Sequence, residues 1–126
     1  MLEGVVRFPP EFAARYRAKG YWQDRALRDQ FRENVFVPYA DRVAVIDRDT
    51  QVTYRELDAI AGRLALNLWD LGLRPLDRVV VMLPNVIEFV YLYFALQKLG
   101  AIPICALATH RYHELSQFTR IAQANF

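Results

Sequence analysis

Two short apolar runs bracket the most regular part of this chain. Val79 to Leu83 (VVVML) is rich in β-branched residues and stops at Pro84-Asn85. Ile102 to Leu107 is a second run of the same kind. Between them the apolar positions change period: Ile87, Val90, Tyr91, Phe94, Ala95 and Leu99 recur at helical spacing, and Gly100 breaks the pattern. Asn85 and Glu88 stand three apart ahead of this segment, the arrangement of a capping box. Strand, helix, strand is the βαβ crossover of parallel sheets. Both runs are apolar on both faces, which predicts strands covered by helices on each side.

Upstream, the pattern predicts a helix from Tyr54 to Leu71. Thr53 and Glu56 form an N-terminal capping box. Leu57, Ile60, Ala61, Leu64, Leu68 and Leu71 make one apolar stripe. Gly72 supplies a left-handed C-terminal position, and Pro75 prevents resumption. Val43 to Asp47 and Gln51 to Thr53 read as a short hairpin around Arg48-Asp49-Thr50, whose residues favour turns. Residues 1–10 are a polar lead-in. A short helix over Glu11 to Lys19 is closed by Gly20, with Phe12 and Tyr16 on one face. Tyr21 and Trp22 read as an aromatic plug that packs onto the domain. Ala26 to Val37 is a second helical segment, with Leu27, Phe31, Asn34 and Val35 on one face and Pro38 at its end. A last helix, about Tyr112 to Ala124, carries Leu115, Phe118, Thr119 and Ala122 inward. Another strand is expected where Phe126 stands. Residues 1–40 thus form a helical lead, and residues 41–126 the α/β part.

Composition narrows the function classes. The chain has 126 residues, of which 54% are hydrophobic and 24% charged, the profile of a globular domain. A net charge of +2, with arginines scattered along helices, gives no footprint for nucleic acid. The stretch from Val86 to Ala108 is interrupted by Glu88, Gln97, Lys98, Gly100 and Pro103, so it reads as a buried helix plus a strand and not as a membrane span. The N-terminus carries Glu3, Arg7 and two prolines and lacks the pattern of a signal peptide. One cysteine, Cys105, allows no internal disulfide and suits a reducing cytoplasm. Its place in an apolar strand predicts an inert core thiol.

Most catalytic signatures are missing. The five glycines are isolated, so no glycine-rich phosphate loop is present. There is no GxSxG elbow. No pair of aspartates stands at acid–base spacing. The Tyr91/Tyr93/Phe94 cluster reads as core. His110 and His113 stand three apart beside Glu114, but a zinc site needs three or four convergent ligands and no further ligand is evident. No catalytic, cofactor-binding or metal-binding residue is assigned.

The boxes VTYREL (Val52 to Leu57), DRVVVMLPNVIEF (Asp77 to Phe89) and KLGAIPI (Lys98 to Ile104) together resemble the opening of the adenylate-forming, AMP-binding enzymes. That family includes acyl- and aryl-CoA ligases, nonribosomal-peptide adenylation domains and luciferases. The lead FPPEFAARYRAKGYW (Phe8 to Trp22) and the loop with His110, Arg111 and Glu114 are similar to one branch, the aryl acid–AMP ligases of siderophore pathways, which activate 2,3-dihydroxybenzoate or salicylate. The resemblance implies an α/β fold: the N-terminal part of the family's large domain, incomplete, with 41–126 as a partial AMP-binding domain. For the full-length family it implies ATP and Mg, attack of a carboxylate on ATP to give an acyl-adenylate and pyrophosphate, and transfer to an aryl carrier protein. The rest of the ligase domain is the implied partner. The family's phosphate loop, acid pocket, ribose-binding aspartate and C-terminal lysine match no position here, so the chain itself is expected to be inactive. Only His110 and Arg111 are candidates for positions near the family's pocket. The residues leave open another acyl-CoA synthetase or peptide adenylation enzyme, and also a free-standing α/β interaction module.

Overall fold

The computed structural model describes residues 6–126. The leader reading on Glu3 falls outside these residues. The elements run α1 (Pro10–Ala18), α2 (Leu27–Phe31) continuing into a π turn (Arg32–Phe36), β1 (Val43–Asp47), β2 (Thr50–Thr53), α3 (Tyr54–Asp70), β3 (Arg78–Met82), α4 (Ile87–Leu99), β4 (Ile102–Ala106) and α5 (Tyr112–Ala122). β1 and β2 form an antiparallel hairpin with Val45 opposite Val52. β3 and β4 pair in parallel, with Arg78 opposite Ile102 and Met82 opposite Ala106. The expected βαβ crossover is therefore β3–α4–β4, and its helix packs most extensively on α3.

The core has three connected parts. Leu73, Val81, Leu96 and Ala101 join the parallel strands to α4. Phe36, Val52 and Leu57 join the π turn, the hairpin and the start of α3. Ala61, Ala65 and Ala95 lie between α3 and α4. Ala61 and Ala95 are completely buried, and their small side chains let the two helices approach closely.

Helix ends explain much of the packing. Thr53 and Glu56 form the expected capping box: the Glu56 N–H donates to the Thr53 hydroxyl oxygen at 3.2 Å, and the Thr53 N–H donates to Glu56 Oε2 at 2.8 Å. At the far end, Leu73 N–H donates to Leu68 O at 3.0 Å and Gly72 N–H to Trp69 O at 2.9 Å. This is a Schellman motif, with Gly72 at a φ of 103°. It reverses the chain so that Leu73, not Leu71, enters the core. Leu71 is 76% exposed, whereas the sequence placed it on the buried stripe. α4 ends in the same way: Ala101 N–H reaches Leu96 O at 3.0 Å past left-handed Gly100.

Four other expectations are revised. Asn85 and Glu88 do not cap α4, whose flanking residue is Val86. The Ile87 N–H instead donates to Asp47 Oδ2 at 3.3 Å, a carboxylate brought from the end of β1. In the second helical segment Val37 N–H bonds to Arg32 O at 3.0 Å, an i→i+5 closure. The wider turn returns Phe36 to the face of Phe31, and both rings meet Phe94 edge-on, at 5.5 Å for Phe31 and 5.2 Å for Phe36. Phe36 is buried, while Leu27 and Asn34 are exposed. Tyr21 and Trp22 do not plug the α/β body. They join Phe8 and Tyr16 in a cluster around α1, which packs against no other helix or strand among the described residues. Finally, α5 buries no residue fully, and Thr119 on its expected inner face is exposed.

Candidate functional site

In an open parallel sheet the chain turns that follow the C-terminal ends of the strands are where ligands bind. In this molecule those turns are Leu83-Pro84-Asn85 after β3 and Leu107 to Thr109 after β4. They line an open groove with Phe89, Cys105, Ala106, Ala108 and Thr109. Cys105 is exposed here. The expectation of a buried thiol fails because Cys105 lines this open groove.

His110 and Arg111 stand beside the groove and do not line it. Their chemistry is turned towards the chain. His110 Nδ1 accepts the Leu107 N–H at 3.1 Å, and the His110 N–H donates to Leu107 O at 3.0 Å. The imidazole meets the Phe118 ring edge-on at 5.1 Å. With Nδ1 accepting, Nε2 is the ring nitrogen left to donate. The Arg111 guanidinium donates to His110 O at 3.1 Å and to Ala108 O at 3.4 Å. Glu114 Oε2 accepts the Arg111 N–H at 2.9 Å, which opens α5. That bond holds the Glu114 carboxyl below the ordinary carboxylate range. The three residues close the turn after β4 and launch α5. Arg111 itself is exposed, so its guanidinium can exchange carbonyl partners for an anion without a buried charge being left alone.

A second cleft, of about 290 Å³, lies between α2, α3 and α4. Phe31, Phe36 and Phe94 form its floor, and Arg28, Asp29, Arg32, Asp58, Gln97 and Lys98 its rim. The rim charges serve as struts. Lys98 Nζ lies 2.7 Å from Asp58 Oδ1, and the Arg28 guanidinium donates to Lys98 O at the C-terminal end of α4, at 3.0 Å.

ATP and Mg do not fit what the described residues offer. No cluster of three or more His, Cys, Asp or Glu side chains able to hold a metal ion occurs among them. The turns after β3 and β4 contain no glycine with which to wrap a phosphate. His110 and His113 belong to no such cluster. No helix of the described residues is long and apolar enough to cross a membrane.

Comparison with known proteins agrees with this architecture. The model of the AMP-binding enzyme family matches residues 31–126. The chain is 43% identical, over 98% of its length, to 2,3-dihydroxybenzoate-AMP ligase of Bacillus subtilis, of which it covers 23%. It is 41% identical, over 98% of its length, to a salicyl-AMP ligase / salicyl-S-ArCP synthetase of Mycobacterium tuberculosis, of which it covers 22%. The apo structure of Mycobacterium smegmatis MbtA superposes with a TM-score of 0.89 at 44% identity, covering 96% of this chain and 23% of that one. The chain thus spans less than a quarter of the length of these relatives. The caps, the crossover and the family match converge on one assignment: this chain belongs to the AMP-binding enzyme family.

Proposed function

We propose that the chain is the opening part of an aryl acid–AMP ligase of siderophore biosynthesis. In full length such an enzyme would use ATP and Mg to convert 2,3-dihydroxybenzoate or salicylate to the aryl-adenylate. It would then pass the aryl group to a carrier-protein thiol. The observation that carries this reading is 43% identity extending across 98% of the chain to a ligase named for 2,3-dihydroxybenzoate. The chain's own contribution is scaffold: β3–α4–β4 begins the sheet, and the loop with His110 and Arg111 lies at its ligand-facing end. Its partner is then the rest of the ligase domain, and its setting the cytoplasm.

Transition-state stabilisation in phosphoryl and adenylyl transfer comes from donors and cations fixed around the phosphates. The described residues supply no such cluster, so the 126-residue chain should be inactive alone. Purified chain mixed with ATP, Mg and either aryl acid is expected to give no ATP–pyrophosphate exchange; sustained exchange would overturn the reading. A chimera in which this chain replaces the matching segment of the Bacillus subtilis ligase should exchange with 2,3-dihydroxybenzoate. A chimera that folds but prefers a fatty acid or an amino acid would favour another branch of the family.

A further inference from the structure

The cleft between α2, α3 and α4 joins an aromatic floor to an arginine that the fold leaves unused. The π turn builds it. Val37 N–H closes on Arg32 O at 3.0 Å, and the turn so formed sets Arg32 on the rim and Phe36 on the floor. Such turns are rare, and they recur at functional sites. Phe31 and Phe36 both stand edge-on to Phe94, so the floor is aromatic throughout. At about 290 Å³ the cleft lies at the lower end of ligand-site volumes and suits a single-ring molecule.

The rim carries three cations, Arg28, Arg32 and Lys98, against two carboxylates, Asp29 and Asp58. The carboxylates are taken: Asp58 lies 2.7 Å from Lys98, and Asp29 lies 3.5 Å from Arg28. Glu33, next to Arg32 in the chain, pairs with Arg25 instead. Arg32 is exposed and makes no ion pair among the described residues. One positive charge is therefore left uncompensated, which matches a monoanion. The planar guanidinium fork suits a carboxylate held through two parallel N–H bonds. A phosphate dianion would set a surplus negative charge beside Asp29 and Asp58.

We propose that this cleft binds a small aromatic carboxylate, its ring on Phe31, Phe36 and Phe94 and its carboxylate on Arg32. No residue lines both this cleft and the groove after β3 and β4, so the two are separate sites. The ligand class follows from the floor and the uncompensated charge and does not rest on the functional reading above.

Benzoate is the probe, titrated by NMR into the isotope-labelled 126-residue chain. The amides of Phe31, Arg32, Phe36, Phe94 and Lys98 should shift and saturate at roughly millimolar benzoate, the range open to so small a ligand. Benzyl alcohol keeps the ring and acetate keeps the charge; each should bind about tenfold more weakly or worse. Inorganic phosphate should bind no better than acetate. Arg32→Gln should weaken benzoate by about fivefold with the rest of the spectrum in place, and Arg32→Lys should restore part of the loss. The proposal is overturned if benzoate moves none of these amides or if the shifts centre on Cys105 and Thr109. It also fails if benzyl alcohol, acetate or phosphate binds as tightly as benzoate, or if Arg32→Gln leaves benzoate affinity unchanged. Pyrophosphate exchange by the chain would sink the functional reading and leave this titration intact.

Discussion

Carboxylates sit at the N-termini of three helices: Glu56 on α3, Asp47 on α4 and Glu114 on α5. Each accepts a backbone N–H that the helix cannot satisfy internally. Thr53→Ala removes one half of the α3 box and should cost about 1 kcal/mol, read as a shift in the urea midpoint. Backbone and hydroxyl hydrogen bonds from Thr53 hold Glu56 below its ordinary range, and the Asn125 amide followed by the Arg74 N–H does the same for Asp77. A folded value below the unfolded one gives stability that is complete above the unfolded value and lost as pH falls through the folded one. Thermal midpoints should therefore drop as the solution is acidified through and below the ordinary carboxylate range. Glu56→Gln should flatten that drop, and an unchanged profile would refute the assignment. The Thr53–Glu56 box was legible because its partners are three residues apart. Asp47 and Ile87 are forty apart, and no local rule pairs them. His110 and Arg111 were legible as a motif, while their bonds to the turn required the fold.

Among the elements, α3 announced itself because its apolar stripe is narrow. α4 is apolar nearly all round, so periodicity selected Tyr91 and Leu99 and passed over Leu96. Leu96 is in fact fully buried, and it is also the residue whose carbonyl closes the helix on Ala101. Leu96→Ala should cost about 2–5 kcal/mol. Leu71→Ala, one residue before a chain reversal and 76% exposed, should stay within about 0.5 kcal/mol of the parent in the same denaturation series. The π turn escaped the sequence because a helical pattern carries no mark of one added residue. Only the convergence of Phe31 and Phe36 on Phe94 reveals it.

Across the whole molecule, the crossover and the hairpin were legible because each is local, and the family boxes fall on them. The attachment of α1 was not. The aromatic-rich lead reads in sequence as a cover for the body, yet the same residues can also close on themselves, and no local pattern separates the two. The structure shows the second: Phe8, Tyr16, Tyr21 and Trp22 meet in tilted and edge-on contacts, with Arg17 near the Trp22 ring at 5.6 Å. The chain's other tryptophan, Trp69, belongs to α3 and carries the Arg74 guanidinium 4.0 Å above its ring. The two indoles thus report on different parts of the molecule. An emission trace of unfolding is the sum of a loss in the aromatic lead and a loss in the α/β body. In a Trp22→Phe chain the remaining light comes from the body alone.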